Sequence, residues 1–266
     1  MTILDKIVRQ KEIEVELLKK QPLPEFSGDA KSIKKIEHSF HNTQQMNVIA
    51  EIKRSSPSKG EIDMAVDPVK QAKLYESCGA GAISVLTDET FFNGSMEDLR
   101  NVREAVDLPI LCKDFMIDPI QIDHAKAAGA SIILLIVAAL SDNKLHELFE
   151  YAKNQGLEVL CEVHDANEMT RALELGASII GINNRNLKTF DVDLSATEQL
   201  ASIVSNPNTI LISESGIKSR DDVVQVGKED VNGILVGETL MRSNNIAALF
   251  NELKIPITKG GIPNAR

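Results

Sequence analysis

The chain has little of what builds crosslinked, metal-bound or membrane proteins. Its three cysteines, Cys78, Cys112 and Cys161, are odd in number and form no C-x-x-C pair. That argues against a disulfide framework or a zinc site and for a reducing compartment. The five histidines, His38, His41, His124, His146 and His164, show no ligand spacing, and His164 reads as a cap for the helix that follows it. The longest apolar run, Ile132 to Leu140, falls far short of the roughly 20 residues that cross a bilayer. The N-terminal MTILDKIVRQKEIEVELLKK lacks the apolar core of a secretory signal. Positive charge is in deficit, with Lys+Arg 29 against Asp+Glu 39 and a net charge of -10. Phosphate backbones need clustered cations, so nucleic acid is a poor partner for this chain. An anionic ligand must be held by local cations and backbone N–H groups. No G-x-S-x-G elbow surrounds Ser213 or Ser215. The expectation is a cytoplasmic protein with no nucleic-acid or membrane partner.

What is present is a regular alternation. The chain has 266 residues, 43% hydrophobic and 26% charged, the balance of a globular domain with a full core. After residue 46, eight β-prone runs appear: NVIAEIK, GAISVLT, PILCK, SIILLI, LEVLCEV, SIIGINN, TILISES and NGILVG. Stretches of helical periodicity such as DNKLHELFEYAKNQG and ANEMTRALELG separate them, several closing on a glycine. Successive strand ends lie 21 to 34 residues apart, each the length of one βα unit. Continuously apolar strands alternating with helices predict a parallel sheet covered on its faces. Eight such units predict an α/β fold of the (β/α)8 TIM barrel type. An open doubly wound sheet is the alternative. It requires G-x-G-x-x-G after the first strand, and the G-x-G at Gly79 and Gly81 precedes a strand instead. Residues 1–46 stand outside the repeat. Ile3, Leu4, Ile7 and Val8 begin one amphipathic helix, Ile33, Ile36 and Phe40 mark a second, and QPLPEFSGD between them reads as a loop. The expected division is a helical extension over 1–46, the barrel over 47–253 and a tail over 254–266. Whether the extension caps the bottom of the barrel or lies near its active face is open at this stage.

The strand ends carry charge. Glu51 and Lys53 are two apart, so they share a side of the first strand with Ile49. Lys113 ends the third strand, Glu162 the fifth, Asn183 and Arg185 the sixth, Glu214 and Ser215 the seventh. Taken singly, each marks only where a strand meets water. Taken together at the C-terminal rim, which forms the active face of this fold, they form a mouth of closely spaced charges of both signs. Such groups shift one another's pKa and suit acid–base chemistry. The turns SESGI and VGETLMR follow strands seven and eight, where this fold holds phosphate. SSPSKG adds hydroxyls and Lys59 after strand one. Phe92 and Phe115 fall just past strands two and three, as buried filler or as the walls of an apolar slot for a flat ring.

The ordered set VIAEIKRSSPSKG, SVLTDETFFNGS, LPILCKDFMIDPIQI, LLIVAAL, EVHDANEM, IGINNRNLKTFDVDL, ISESGI and ILVGETLM, between residues 48 and 241, resembles the indole-3-glycerol phosphate synthase family. GEIDMAVDP is a looser match, because a Phe often precedes the Asp-Pro in that family. The resemblance implies ring closure, decarboxylation and dehydration of 1-(2-carboxyphenylamino)-1-deoxyribulose 5-phosphate to indole-3-glycerol phosphate, CO2 and water, in tryptophan biosynthesis. It implies no cofactor; no metal is expected, since no His/Cys/Asp cluster has ligand spacing, and the expected state is a monomer or small homo-oligomer. It further implies Lys113 as general acid and Glu162 as its carboxylate partner, with Glu51 and Lys53 binding substrate and helping the final loss of water. Asn183, Arg185, Glu214 and Ser215 would position the substrate. Ser56, Gly216, Gly237 and Glu238 would hold phosphate, and Pro57, Phe92, Phe115 and Leu187 would line the aromatic slot. A sister phosphate-binding barrel isomerase, a non-catalytic phosphosugar-binding barrel and one half of a channelling complex are the alternatives.

Overall fold

Eight runs of aliphatic residues pair in parallel because neither of their faces is left to water. The computed structural model describes residues 2–23, 34–41 and 43–257. Two helices precede the sheet, α1 (Ile3–Leu18) and α2 (Ile36–His41). The strands are β1 (Asn47–Ile52), β2 (Ala82–Leu86), β3 (Ile110–Lys113), β4 (Ile132–Ile136), β5 (Glu158–Val163), β6 (Ile179–Asn183), β7 (Ile210–Glu214) and β8 (Gly233–Val236). Each pairs with the next, and β8 returns to β1 with Asn47 opposite Gly233, so the sheet closes into a barrel and the open alternative falls away. After β1 the chain turns through a short hairpin, Ser55–Ser56 against Gly60–Glu61.

The covering helices are α3 (Pro68–Ser77), the single turn α4 (Glu89–Phe92), α5 (Met96–Ala105), α6 (Pro119–Ala127), α7 (Asp142–Asn154), α8 (Ala166–Glu174), α9 (Ser195–Ala201), α10 (Arg220–Val226), the single turn α11 (Glu238–Met241) and α12 (Ile246–Leu253). Their starts follow from sequence. Asp67 and Asp118 accept bonds from the free N–H groups of α3 and α6, each followed by a proline whose missing N–H costs nothing there. The helix α9 is short and polar, SATEQLA, and its three buried residues make no long stripe that periodicity could register.

The barrel interior has two halves. Its lower part is a plug of Ile49, Ala82, Leu111, Ile132, Leu134, Ile136, Leu160, Ile179, Ile210, Ile212 and Leu235. Two residues further along β1, β3, β5 and β7, on the same side, stand Glu51, Lys113, Glu162 and Glu214. The alternate residues face the helices, and Cys112 and Cys161 belong to that outer core.

The two N-terminal helices go to opposite ends. α2 closes the bottom, with Ile36 and Phe40 joining the interior plug. Glu158, at the start of β5, accepts the Ile36 and Glu37 backbone N–H groups at 2.8 and 2.9 Å, satisfying the first turn of α2. α1 begins with a capping box between Thr2 and Asp5 and lies at the active face. Its buried stripe is Ile7, Lys11 and Val15. The Lys11 ammonium is 2.9 Å from Asp88, 2.8 Å from Asp114 and 2.8 Å from Glu14. Burial opposes its charge, and Asp114 and Asp88 more than compensate, holding its pKa above the usual lysine value. Asp88 also caps α4, and Asp114 follows Lys113 directly. One cation therefore ties α1 to the loops after β2 and β3. Ile33, most of QPLPEFSGD and residues 258–266 of the tail lie outside the described residues. The near part of the tail returns to the barrel, with Met46 N–H donating to Ile255 at 2.8 Å.

Removing the cation from such a buried pair costs about 3–5 kcal/mol, because it strands the carboxylates. Lys11→Met is therefore expected to speed amide hydrogen exchange in residues 3–18 while the barrel strands keep their protection. Exchange in α1 as slow as in the native protein would contradict the assigned tether.

Candidate active site

The C-terminal mouth of the barrel opens into a cavity of about 620 Å³, a size that suits a small organic ligand. All sixteen positions named from sequence as catalytic, substrate-binding or phosphate-binding line it. Ile3, Leu4 and Ile7 of α1 line it as well, so the extension contributes to the site.

At its centre is the Lys113 ammonium, 2.5 Å from Glu214 Oε2 and 3.2 Å from Glu162 Oε2. The sequence pairs Lys113 with Glu162; the shorter contact is to Glu214. The reason lies in β6. A Cβ at Gly181 would collide with Glu214 Oε1, so the glycine leaves the space through which Glu214 crosses toward Lys113. Both carboxylates are nearly inaccessible, Glu162 at 4% and Glu214 at 2% exposure. Burial opposes the charge of Lys113, but Glu214, Glu162 and Glu51 outweigh it and hold its pKa above the ordinary value. Burial also pushes Glu162 upward, and Lys113, His164 and Asn183 overcome it, so Glu162 stays well below the usual carboxylate range. Glu214 goes the other way: burial raises it, Lys113 opposes, and Glu162 and Glu51 add repulsion, leaving it at about 7. Lys113 thus keeps its charge, while Glu214 is the group of the three poised near neutrality.

Beside this triangle, Lys53 Nζ is 2.6 Å from Glu51 Oε1, and Gly237 of the turn after β8 leaves room for that pair. Asn183 donates to Glu162 at 3.0 Å. Arg185 lies beyond the end of β6 and donates to the Phe190 carbonyl at 3.1 Å, at the cavity wall. Phe92 and Phe115 meet with ring centroids 6.0 Å apart and tilted by 35°. Pro57 and Leu187 line the same cavity from the loops after β1 and β6. After β7 the backbone turns at Ser215 and Gly216, both with positive φ, and after β8 it enters α11 through Gly237 and Glu238. Thr239 Oγ1 donates to the Ile217 carbonyl at 2.7 Å and joins the loops after β7 and β8. Ser56 is buried at this rim, and Lys59 Nζ is 3.9 Å from Glu238.

Three features escape sequence reasoning. Lys11, Asp88 and Asp114 lie far apart along the chain, and no sequence pattern groups them. Asn184, next to Asn183 but facing outward, is buried and binds Ser213 Oγ and the Glu214 and Ser215 carbonyls at 3.0, 2.9 and 3.1 Å, fixing the ends of β6 and β7. His164 is not the helix cap: Asp165 caps α8, and the His164 ring lies between Glu162 and Glu168.

The fold has distant likenesses. A solved N-acetylmannosamine-6-phosphate 2-epimerase from Clostridium perfringens superposes with a TM-score of 0.60 at 15% identity, covering 81% of this chain and 95% of the other. A thiamine phosphate pyrophosphorylase from Pyrococcus furiosus superposes with a TM-score of 0.59 at 18% identity, covering 82% and 96%. At these identities they bear on the barrel alone. Sequence likeness is far stronger. The indole-3-glycerol phosphate synthase profile matches residues 4–253. The proteins of that name from Oceanobacillus iheyensis and Bacillus mycoides are each 52% identical, over 98% and 96% of this chain and 100% and 99% of their own lengths. With the barrel, the charged mouth and these matches together, the chain belongs to the indole-3-glycerol phosphate synthase family.

Proposed function

We propose that in the family's ring closure of 1-(2-carboxyphenylamino)-1-deoxyribulose 5-phosphate Lys113 is the general acid. As the aromatic ring attacks the ketose carbon, negative charge grows on the carbonyl oxygen. An ammonium held firmly in its charged form meets that charge without reorganising. It releases its proton when the oxygen becomes an alkoxide, a far stronger base than the amine. Glu162 stays an anion against Lys113 and serves as its partner in proton transfer. Glu214, at 2.5 Å, is the nearest group from which the amine regains a proton. Loss of CO2 restores the ring. Glu51 and Lys53, paired at 2.6 Å, bind substrate and assist the final loss of water, which needs a base and an acid close together. Asn183, Arg185, Glu214 and Ser215 orient the substrate. The aromatic ring lies among Phe92, Phe115, Pro57 and Leu187, and the phosphate lies among Ser56, Gly216, Gly237 and the Glu238 backbone.

The observation that carries this reading is one cation held between two buried carboxylates inside a cavity that also has an aromatic pair and a glycine turn. The family match over residues 4–253 favours ring closure over the isomerase and binding-barrel alternatives. The proposed setting is the cytoplasm; no described helix is long and apolar enough to cross a membrane. The proposed state is a monomer or small homo-oligomer.

Lys113→Met keeps the length and removes the charge. One of the two remaining carboxylates takes up a proton, and the fold survives. The lost interaction belongs to the transition state, so steady-state kinetics should show kcat down by at least ~10² with substrate affinity within about tenfold. Lys53→Met should lose less in kcat and more in KM. Near-native turnover by Lys113→Met alongside an inactive Lys53→Met would move the acid to β1.

Inorganic phosphate should compete with substrate. A bulky residue at Gly216, where φ is +90°, should raise KM before it lowers kcat by distorting the turn that presents backbone N–H groups. An unchanged KM would put the phosphate elsewhere.

Among the described residues no group of His, Cys, Asp and Glu has the arrangement of a metal site, and the lysines can polarise the carbonyl themselves. Full activity is therefore expected in EDTA. Activity lost in chelator and restored by a divalent ion would contradict the assignment of that task to lysine.

A further inference from the structure

His164 is buried beside the reaction centre, and no role above uses it. Its Nδ1 is 3.0 Å from Glu168 Oε2, the oxygen that also accepts the His164 backbone N–H at 2.8 Å. Two bonds to one carboxylate fix the ring plane. Nε2 is buried 3.3 Å from Glu162 Oε1, a charge-pair contact, and makes no hydrogen bond. Glu162 Oε1 also accepts from Asn183 at 3.0 Å, while Oε2 faces Lys113 at 3.2 Å. A row of alternating charged groups, Glu168, His164, Glu162 and Lys113, runs from the first turn of α8 to the barrel centre.

The charged groups facing the ring are Glu162 from β5 and Glu168 from α8; Lys113 of β3 and Glu214 of β7 lie beyond Glu162. Burial opposes charge on the imidazole, but the two carboxylates outweigh it and raise its pKa to about 10. The ring is an imidazolium at neutral pH.

We propose that His164, clamped by Glu168, is a positioning residue that fixes the Glu162 carboxylate in the orientation facing Lys113. The inference rests on the roles given above to Glu162 and Lys113. With a cation at each oxygen, Glu162 does not rotate away and stays unprotonated until Lys113 has delivered its proton to the ketose oxygen. Without the imidazolium, Glu162 Oε1 keeps only the neutral Asn183 amide at 3.0 Å, and the carboxylate competes for that proton.

The test is the pH profile of His164→Gln, with Glu162→Gln run beside it. In His164→Gln, kcat should fall by roughly tenfold to a hundredfold, the scale of partners that orient a functional side chain, with KM nearly unchanged. Loss of the cation raises the Glu162 pKa, so the acid limb of kcat/KM should move to higher pH, which mere loosening of the fold would not produce. Glu168→Gln should shift the limb the same way by less. In the native protein, the ring nitrogens of His164 should report an imidazolium by NMR at about pH 8, above the ordinary histidine range. If His164→Gln does not fold, Glu168→Gln and the native NMR titration decide. A native kcat and acid limb in His164→Gln, or a neutral ring in the native protein at pH 7, overturns the proposal. If Glu162→Gln is disabled while His164→Gln is not, this inference alone fails. If Glu162→Gln also keeps its kcat, the role of Glu162 fails and takes the inference with it.

Discussion

The Lys113 ammonium, held between Glu162 and Glu214 with almost no water around the carboxylates, is the constraint the rest of the structure serves. Taking such charges out of water costs several kcal/mol per ion, and their mutual attraction offsets this only when geometry and extra hydrogen bonds are good. The cluster is therefore weak evidence for stability and a source of reactivity. Two carboxylates around one cation cannot both relax. Glu162 is driven below the usual range and Glu214 above it. One buried triangle thus holds an acid, a fixed anion and a group poised near neutrality.

The fold keeps that triangle from collapsing. An apolar plug fills the barrel beneath it and α2 seals the bottom, so the strands are fixed from below. Gly181 gives Glu214 its path, and Asn184 ties together the strand ends that carry Asn183 and Glu214. From above, Lys11 binds α1 to Asp88 and Asp114, next to the residues that carry Phe92, Phe115 and Lys113. Apolar residues of α1 and the loops after β6, β7 and β8 line the same cavity as the lysine.

Much of this is legible in the sequence. A strand buried on both faces is a short continuous apolar run, and eight of them at βα spacing leave few topologies. Period-two reading also assigns Glu51 and Lys53 to the side of Ile49. What fails to show is whatever depends on partners distant along the chain. Lys11 lies between Ile7 and Val15 on a buried stripe, yet nothing in RQKEIE marks it, because Asp88 and Asp114 are far away in sequence. Glu162 and Glu214 look alike as strand-end acids; the closer contact of Glu214 with Lys113 follows from barrel closure and the missing side chain at Gly181. His164 has no ligand spacing, so only its position between two carboxylates gives it meaning.

The central claim is that this cavity closes an indole ring. The chain contains no tryptophan, so indole fluorescence from a product rises over little protein background. Incubating the purified protein with 1-(2-carboxyphenylamino)-1-deoxyribulose 5-phosphate, with no added metal or cofactor, tests the claim directly. The account predicts growth of indole fluorescence with one CO2 released per indole formed. Binding or isomerisation of that sugar phosphate without fluorescence and without CO2 would contradict it.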